Sequence, residues 1–162
     1  MPTTPEEIDS VIADFAMHGG LGGVNPTEAQ LRAVLSAPDG PVQMINLLKF
    51  RTRAEYPTDY DGDETTDVSG EEAYGRYGAN TMPHVAQRGG RLVLLSQADE
   101  SVIGTLGDWD QVAIVEYPNR AAFIDMGKDP DYLVGTVHRT AALERTAIIA
   151  TTPVIDASNP EG

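Results

Sequence analysis

The chain has 162 residues, 41% of them hydrophobic, which suits one globular domain with a single sizeable core. It contains no cysteine, so disulfides, thiolate metal sites and thiol nucleophiles are excluded. With 25 acidic residues against 11 basic ones and a net charge of −14, it repels phosphate backbones and anionic lipid alike, so neither nucleic acid nor a membrane is an expected partner.

The opening MPTTPEEIDS places acids where a secretory leader needs a basic and then an apolar stretch, and no apolar run reaches the length of a membrane span. A cytoplasmic protein is expected. Residues 1–40 read as a helical extension. Thr4 with Glu7 forms a capping box with Pro5 at the first helical position, and Ile8, Val11, Ile12 and Phe15 make one apolar stripe before Gly19-Gly20 ends it. His18 sits at that end, where a cation complements the helix dipole. The run GGLGG follows a helix instead of a strand and lacks a phosphate-loop lysine, so it reads as a hinge. In NPTEAQLRAVL, Asn25 or Thr27 caps a second helix whose buried face is Leu31, Val34 and Leu35, and APDGP then breaks the chain.

From Val42 the character changes. VQMINLLKF, RLVLL with a ragged continuation to Val102 and Ile103, QVAIVEY and TAIIAT are short apolar runs of the kind expected of strands covered on both faces. A helix is predicted over about 71–88, another over 120–128, and a longer one from the Asp129-Pro130 restart to about 143. The order β-α-β-β-α-β is the split ferredoxin-like unit, an α+β fold with a four-stranded antiparallel sheet spanning 41–152. Helices cover one face of such a sheet, so apolar residues on both faces imply a homodimer. Pro83 should bend the first of these helices or restart it with Asn80 or Thr81 as a new cap. That restart would put His84 in a first turn, where the dipole favours the neutral ring.

The acidic stretch 54–72 alternates Asp59, Asp61 and Asp63 as a calcium loop does. Its glycine falls at the fourth position instead of the sixth, however, and Gly70 stands where a bidentate glutamate belongs, so the stretch reads as a solvated connection with no metal. Residues 153–162 read as a flexible tail.

GPVQMINLLKFR, GEEAYGRYG, GGRLV, WDQVAIVEYPNRAAFIDM, DPDYL and HRTAALERTAIIA together resemble the bacterial domain-of-unknown-function family 1330, in the dimeric α/β-barrel superfamily, over about 41–151. EYPNRAAF is the most specific part. The resemblance implies a ferredoxin-like subunit whose sheet meets that of its mate to form a barrel. It implies no activity. The wider superfamily includes cofactor-independent monooxygenases, lactone isomerases, haem-degrading oxygenases and decarboxylating or dehydrating enzymes, typically with a small-molecule pocket between sheet and helices. The two N-terminal helices lie outside the family core.

Residues able to line such a pocket each have two readings. Asn46 interrupts the first strand, and its carboxamide costs on the order of 1–3 kcal/mol unless partnered, so it is either a ligand-facing group or a structural lock. Glu116 is a buried base or the partner of Arg91 or Arg120. Arg120, following the cap Asn119, is placed to hold Glu116 or Asp110. Trp109 walls the pocket or seals the barrel rim. Tyr74 and Tyr77, three apart, can both face the sheet. Tyr132 and Arg139 share a helical face from which His138 is turned by about 100°. His138 and Arg139 either read an anionic substrate or cap the helix and bridge subunits. No histidine pair has metal-site spacing, and Ser69, Ser96 and Ser101 lack a nucleophile elbow. Haem-degrading relatives use an asparagine, a tryptophan and a histidine. Asn46, Trp109 and His84 or His138 supply the types without the histidine spacing, so no cofactor is expected.

Two functions follow. In one, the protein is a cofactor-independent enzyme of oxygenase, isomerase or lyase type, with His84 moving a proton, Asn46 polarising an oxygen, and Tyr77, Trp109, His138 and Arg139 holding a small apolar or aromatic substrate. In the other it is a non-catalytic dimeric carrier or structural module.

Overall fold

The computed structural model describes residues 4–105 and 107–155, so 156–162 of the expected tail lie outside the described residues. Among the described residues nine elements follow one another: α1 (Pro5–His18), α2 (Glu28–Ser36), β1 (Val42–Phe50), α3 (Gly70–Gln87), β2 (Arg91–Gln97), β3 (Gln111–Tyr117), α4 (Arg120–Met126), α5 (Pro130–Ala142) and β4 (Leu143–Thr151). No helix among the described residues is long and apolar enough to cross a membrane.

The four strands form one antiparallel sheet in the order β2-β3-β1-β4, as a ferredoxin-like α+β unit requires. Period two assigns the faces. Val42, Met44, Leu48 and Phe50 of β1 and Ala113 and Tyr117 of β3 are buried beneath the helices. Ile45 and Leu47, paired across the strands with Ile114 and Val112, point to the opposite face, which no helix among the described residues covers and which is only partly buried. Beneath the helices the core is divided. Val42, Met44, Val85, Tyr117 and Met126 form one cluster, and Leu48, Phe50, Ala73, Ala142 and Leu143 form another, with Asn46 on β1 between them.

Capping chemistry sets the helix starts. Thr4 and Glu7, Thr27 and Gln30, and Ser69 and Glu72 each make a complete capping box, while Asn119 and Asp129 cap α4 and α5. Thr27, not Asn25, is the cap of α2, and the Asn25 amide instead donates to the Gly19 carbonyl at 2.6 Å. The extension is bound to the domain by a third cluster, in which Val11, Ile12, Leu31 and Leu35 meet Ile124 of α4.

Three expectations are corrected. First, α3 runs unbroken through Pro83, with Thr81 buried in its interior instead of capping a new segment. Pro83 is exposed, so its ring displaces no packed neighbour, while Val85 is locked into the core on the other side. His84 consequently lies in the last turn of α3, where the dipole favours a cation. Second, β2 ends at Gln97. Val102 and Ile103 are about nine-tenths exposed, at 88% and 90%, because the chain leaves the sheet for a loop. Third, the acidic stretch is more than a solvated connection: Ala54, Tyr56 and Val68 pack on the second sheet cluster, and Glu55 N–H donates to the Ala141 carbonyl at 2.9 Å.

The start of α3 is wedged against backbone. A Cβ at Gly70 would lie 2.6 Å from the Ala142 carbonyl oxygen and 2.7 Å from Arg51 N, and neither atom can move without disturbing β1 or the α5–β4 junction. Gly70→Ala should therefore destabilise the fold by about 3 kcal/mol or more, seen as a lower urea midpoint with an unchanged slope.

Candidate functional site

Helices α3 and α5 lie close enough that Gly135 is required where they cross: a Cβ there would meet the Asn80 side chain, whose Cβ would be only 2.9 Å away. Asn80 also donates to the Tyr132 carbonyl at 3.4 Å. This closeness assembles a row of rings. Phe50 to Tyr74 is 5.4 Å between centroids, Tyr74 to Tyr77 is 5.3 Å, Tyr77 to Tyr132 is 6.3 Å, and Tyr132 to His84 is 6.1 Å. The row spans the divide between the two sheet clusters, and at its middle the Tyr77 and Tyr132 hydroxyls hydrogen-bond at 3.0 Å. Burial holds the Tyr74 and Tyr132 phenols far above their ordinary range, so both stay protonated donors at neutral pH.

Arg139 projects from α5 toward the glycine-rich loop, donating to the Val24 carbonyl at 2.7 Å and to Asn25 Oδ1 at 3.2 Å. Its charge depresses the Tyr74 and Tyr132 pKa values against the larger effect of burial. It has no carboxylate partner among the described residues.

His138, turned from Arg139 as the helical repeat predicts, meets a different set. Its Nδ1 is 2.8 Å from the Tyr56 hydroxyl, and its Nε2 is 3.3 Å from Glu64 Oε2. Arg76 of α3 donates to the same Tyr56 hydroxyl at 3.2 Å and to the Thr65 carbonyl at 2.8 Å, with Glu64 Oε1 3.6 Å from its Nε. Tyr60 stacks on Tyr56 at 4.9 Å and closes over His138 at 6.1 Å. Burial depresses the His138 pKa, Glu64 opposes that shift and Arg76 adds to it. None of Tyr56, Tyr60, Glu64 or Arg76 is among the residues singled out from sequence. The tyrosines four apart in an acidic loop are a weak signal, and the contact that matters closes across 82 residues.

The other expected residues have structural partners. His84 Nδ1 lies 3.3 Å from Asp129 Oδ2, close but not aligned for a hydrogen bond, while Arg88 donates to Asp129 at 2.9 Å, to Asp125 at 2.7 Å and to the His84 carbonyl at 3.2 Å. This knot ties the end of α3 to α4 and the cap of α5. The Arg88 hydrogen bond, with backbone N–H donors from Asp131 and Tyr132, holds the Asp129 carboxyl below its ordinary range. Asn46 faces the helices but donates to the carbonyls of Met44 at 2.9 Å and Ala113 at 3.3 Å, a lock within the sheet. Trp109 lies under the Arg145 guanidinium, 4.1 Å from its ring centroid, beside the ion pairs of Lys49 with Asp108 and Asp110. Glu116 accepts from Arg91 and Gln43, both at 3.0 Å. Arg120 is held instead through its backbone N–H, which donates to Asp39 at 2.8 Å.

The structure thus brings Tyr77, Tyr132 and His84 into one row and His138 and Arg139 onto adjacent sides of one turn, and it leaves Asn46 and Trp109 apart from them. Two open clefts lie elsewhere. One, between α1 and α4, is lined by Ser10 and Lys128, and the other, at the start of α3, by Lys49, Arg51, Glu71 and Glu144. What the α3–α5 groups can do chemically is donate neutral hydrogen bonds, hold an anion and move a proton.

Comparison with known proteins agrees with this architecture. A crystal structure of RPA0582, a protein of unknown function from Rhodopseudomonas palustris, superposes with a TM-score of 0.73 at 34% identity over 84% of this chain and 100% of that one. A crystal structure of methylated RPA0582 gives the same TM-score and identity, with 98% of its chain covered. No functionally curated protein matches the chain. Residues 64–153, more than half the sequence, match the family described as Domain of unknown function (DUF1330), and the chain belongs to that family.

Proposed function

We propose that the protein is a small-molecule metabolic enzyme that takes an organic acid where α3 meets α5, its carboxylate held by Arg139 and its apolar body lying along the tyrosine row. The observation that carries this reading is the state of Arg139. In a chain with 25 acidic residues, Arg32, Arg51, Arg53, Arg76, Arg88 and Arg91 each hold a carboxylate, whereas the Arg120, Arg139 and Arg145 guanidinium groups pair with none among the described residues; of these three, Arg139 is the one held by neutral oxygens beside the α3–α5 contact. A partly buried guanidinium without a counter-ion attracts an anion, and its planar fork suits a carboxylate. The phenol rings of Tyr74, Tyr77 and Tyr132 favour a ligand with an aromatic or apolar body, since ring faces supply contact area and hydroxyls supply orientation.

The unit that performs this function is proposed to be a homodimer joined through the uncovered sheet face. Ile45, Leu47, Val112 and Ile114 form the centre of that face, and Leu94 and Ile149 are 41% and 54% exposed. Polar residues border it: Gln43, Glu116 and Arg91 at one end, and Lys49, Asp110 and Arg145 at the other. A two-fold axis would set this face on itself with the apolar centres in register and opposite charges available at both rims.

Calorimetric titration with a panel of aromatic and short-chain carboxylates checks the first proposal. At least one acid should bind, Arg139→Gln should weaken it by roughly 10- to 100-fold and Tyr77→Phe by several-fold. A panel without a binder, or binding indifferent to Arg139→Gln, refutes it. For the dimer, light scattering at micromolar concentration should give twice the 17.3 kDa chain mass, and Ile114→Lys should halve it. A monomeric wild-type chain defeats that proposal.

A further inference from the structure

We propose that Tyr56, His138 and Glu64 form a proton relay whose working end is the Tyr56 phenol, serving an organic acid with a C–H bond acidified by an adjacent carbonyl. The choice of substrate rests on the reading of Arg139 as its anchor, and the relay itself rests on its own geometry. Two side chains meet at one hydroxyl. The Tyr56 hydroxyl lies 2.8 Å from His138 Nδ1 and is assigned as the donor because Nε2 faces a carboxylate, and its oxygen accepts from Arg76 Nη1 at 3.2 Å. With Nδ1 accepting, the ring carries its proton on Nε2, which faces Glu64 Oε2 at 3.3 Å. The order is hydroxyl, imidazole, carboxylate, the logic by which a base oriented by an acid activates an oxygen nucleophile or base.

Burial grades along the relay. The His138 side chain is 13% exposed and Glu64 is 50% exposed, so the imidazole is shielded while the carboxylate meets water and can exchange protons with it. Tyr60 shields the inner end by lying on the Tyr56 ring. That position depends on Gly62, where a Cβ would collide with the Tyr60 ring and hydroxyl. Arg76 sets its charge beside the phenol oxygen, next to the carbon whose electron pair becomes the enolate. His138 and Arg139 are consecutive residues, as are Arg76 and Tyr77, so the relay and the proposed anion anchor share a turn of each helix.

The step balances without a co-reactant. The substrate C–H bond breaks, and its proton goes to the Tyr56 oxygen as the Tyr56 O–H proton passes to His138 Nδ1. The electron pair stays on the substrate as an enolate beside Arg76, and Glu64 stabilises the imidazolium. Reversal returns a proton to the same carbon, giving exchange with solvent, or to a neighbouring one, giving isomerisation. The groups facing His138 are Tyr56, Tyr60, Glu64 and Arg76. Burial keeps the ring below its usual histidine range, with Glu64 pulling the value up and Arg76 pushing it down, so the neutral, accepting form dominates at pH 7.

The test follows deuterium entry by proton NMR for a panel of 2-oxo and other enolisable acids in deuterated buffer, with acid binding measured on the same samples. Wild-type protein should exchange at least one bound acid. Tyr56→Phe should lower the rate by roughly 100-fold or more while retaining affinity within a few-fold, and that retained affinity certifies the fold. Glu64→Gln should shift the acid limb of the rate to lower pH, since it removes the charge that raises the His138 pKa; a purely structural Glu64 would leave the limb in place. Acid binding without C–H exchange, or full exchange in Tyr56→Phe, overturns the relay and leaves the Arg139 reading standing. Failure to bind any acid overturns both.

Discussion

The close approach of α3 and α5 is the constraint on which the helical layer depends. Gly135 leaves room for Asn80, and Gly70 lets the first turn of α3 press on the backbone of β1 and of the α5–β4 junction. Because helical side chains three or four apart share a face, fixing that contact fixes what each helix presents on both sides of it. Toward the sheet it sets Tyr77 against Tyr132, and beside the acidic loop it sets Arg76 and His138 on one tyrosine. A small displacement of either helix would separate both pairs.

Charge is distributed around this contact with some economy. Arg88 gathers Asp125 and Asp129 at the end of α3, Lys49 joins Asp108 and Asp110 beside the first strand, and Arg91 holds Glu116 across β2 and β3. Surface pairs of this kind add little stability each, but in a chain so acidic they neutralise repulsion where elements meet. The same scarcity of cations makes the neutral surroundings of Arg139 chemically informative. It also explains why the acidic loop folds back: Arg76 offers a donor to the Thr65 carbonyl and a charge to Glu64, and Tyr56 brings apolar area to the core beneath.

The legible parts of the fold were those governed by local rules. The capping box at Thr4, the Asn119 cap, the Asp129-Pro130 restart and the apolar run VQMINLLKF place their elements within a residue or two, because each depends on neighbours a turn or a strand step away. The restart expected at Pro83 does not occur, for the complementary reason. A proline weakens a helix locally, yet the buried Thr81 and Val85 on either side hold α3 continuous, and tertiary packing outweighs one lost hydrogen bond. His84 moved with it, from a first turn to a last one. The candidate site was half legible: Tyr77, Tyr132, His138 and Arg139 follow from helical spacing, whereas Tyr56, Glu64 and Arg76 do not.

What the amino-acid sequence by itself determined was the list and order of elements, the α+β class, the family, and the angular relation of His138 to Arg139, all of which depend on residues close in the chain. Tertiary structure alone decided which of the polar residues meet. It bound Asn46 to its own sheet, set His84 beside Asp129, and carried Tyr56 across 82 residues to His138. Hydrogen-bond partners are chosen within about 3 Å, and no local periodicity encodes that distance between segments so far apart in the chain.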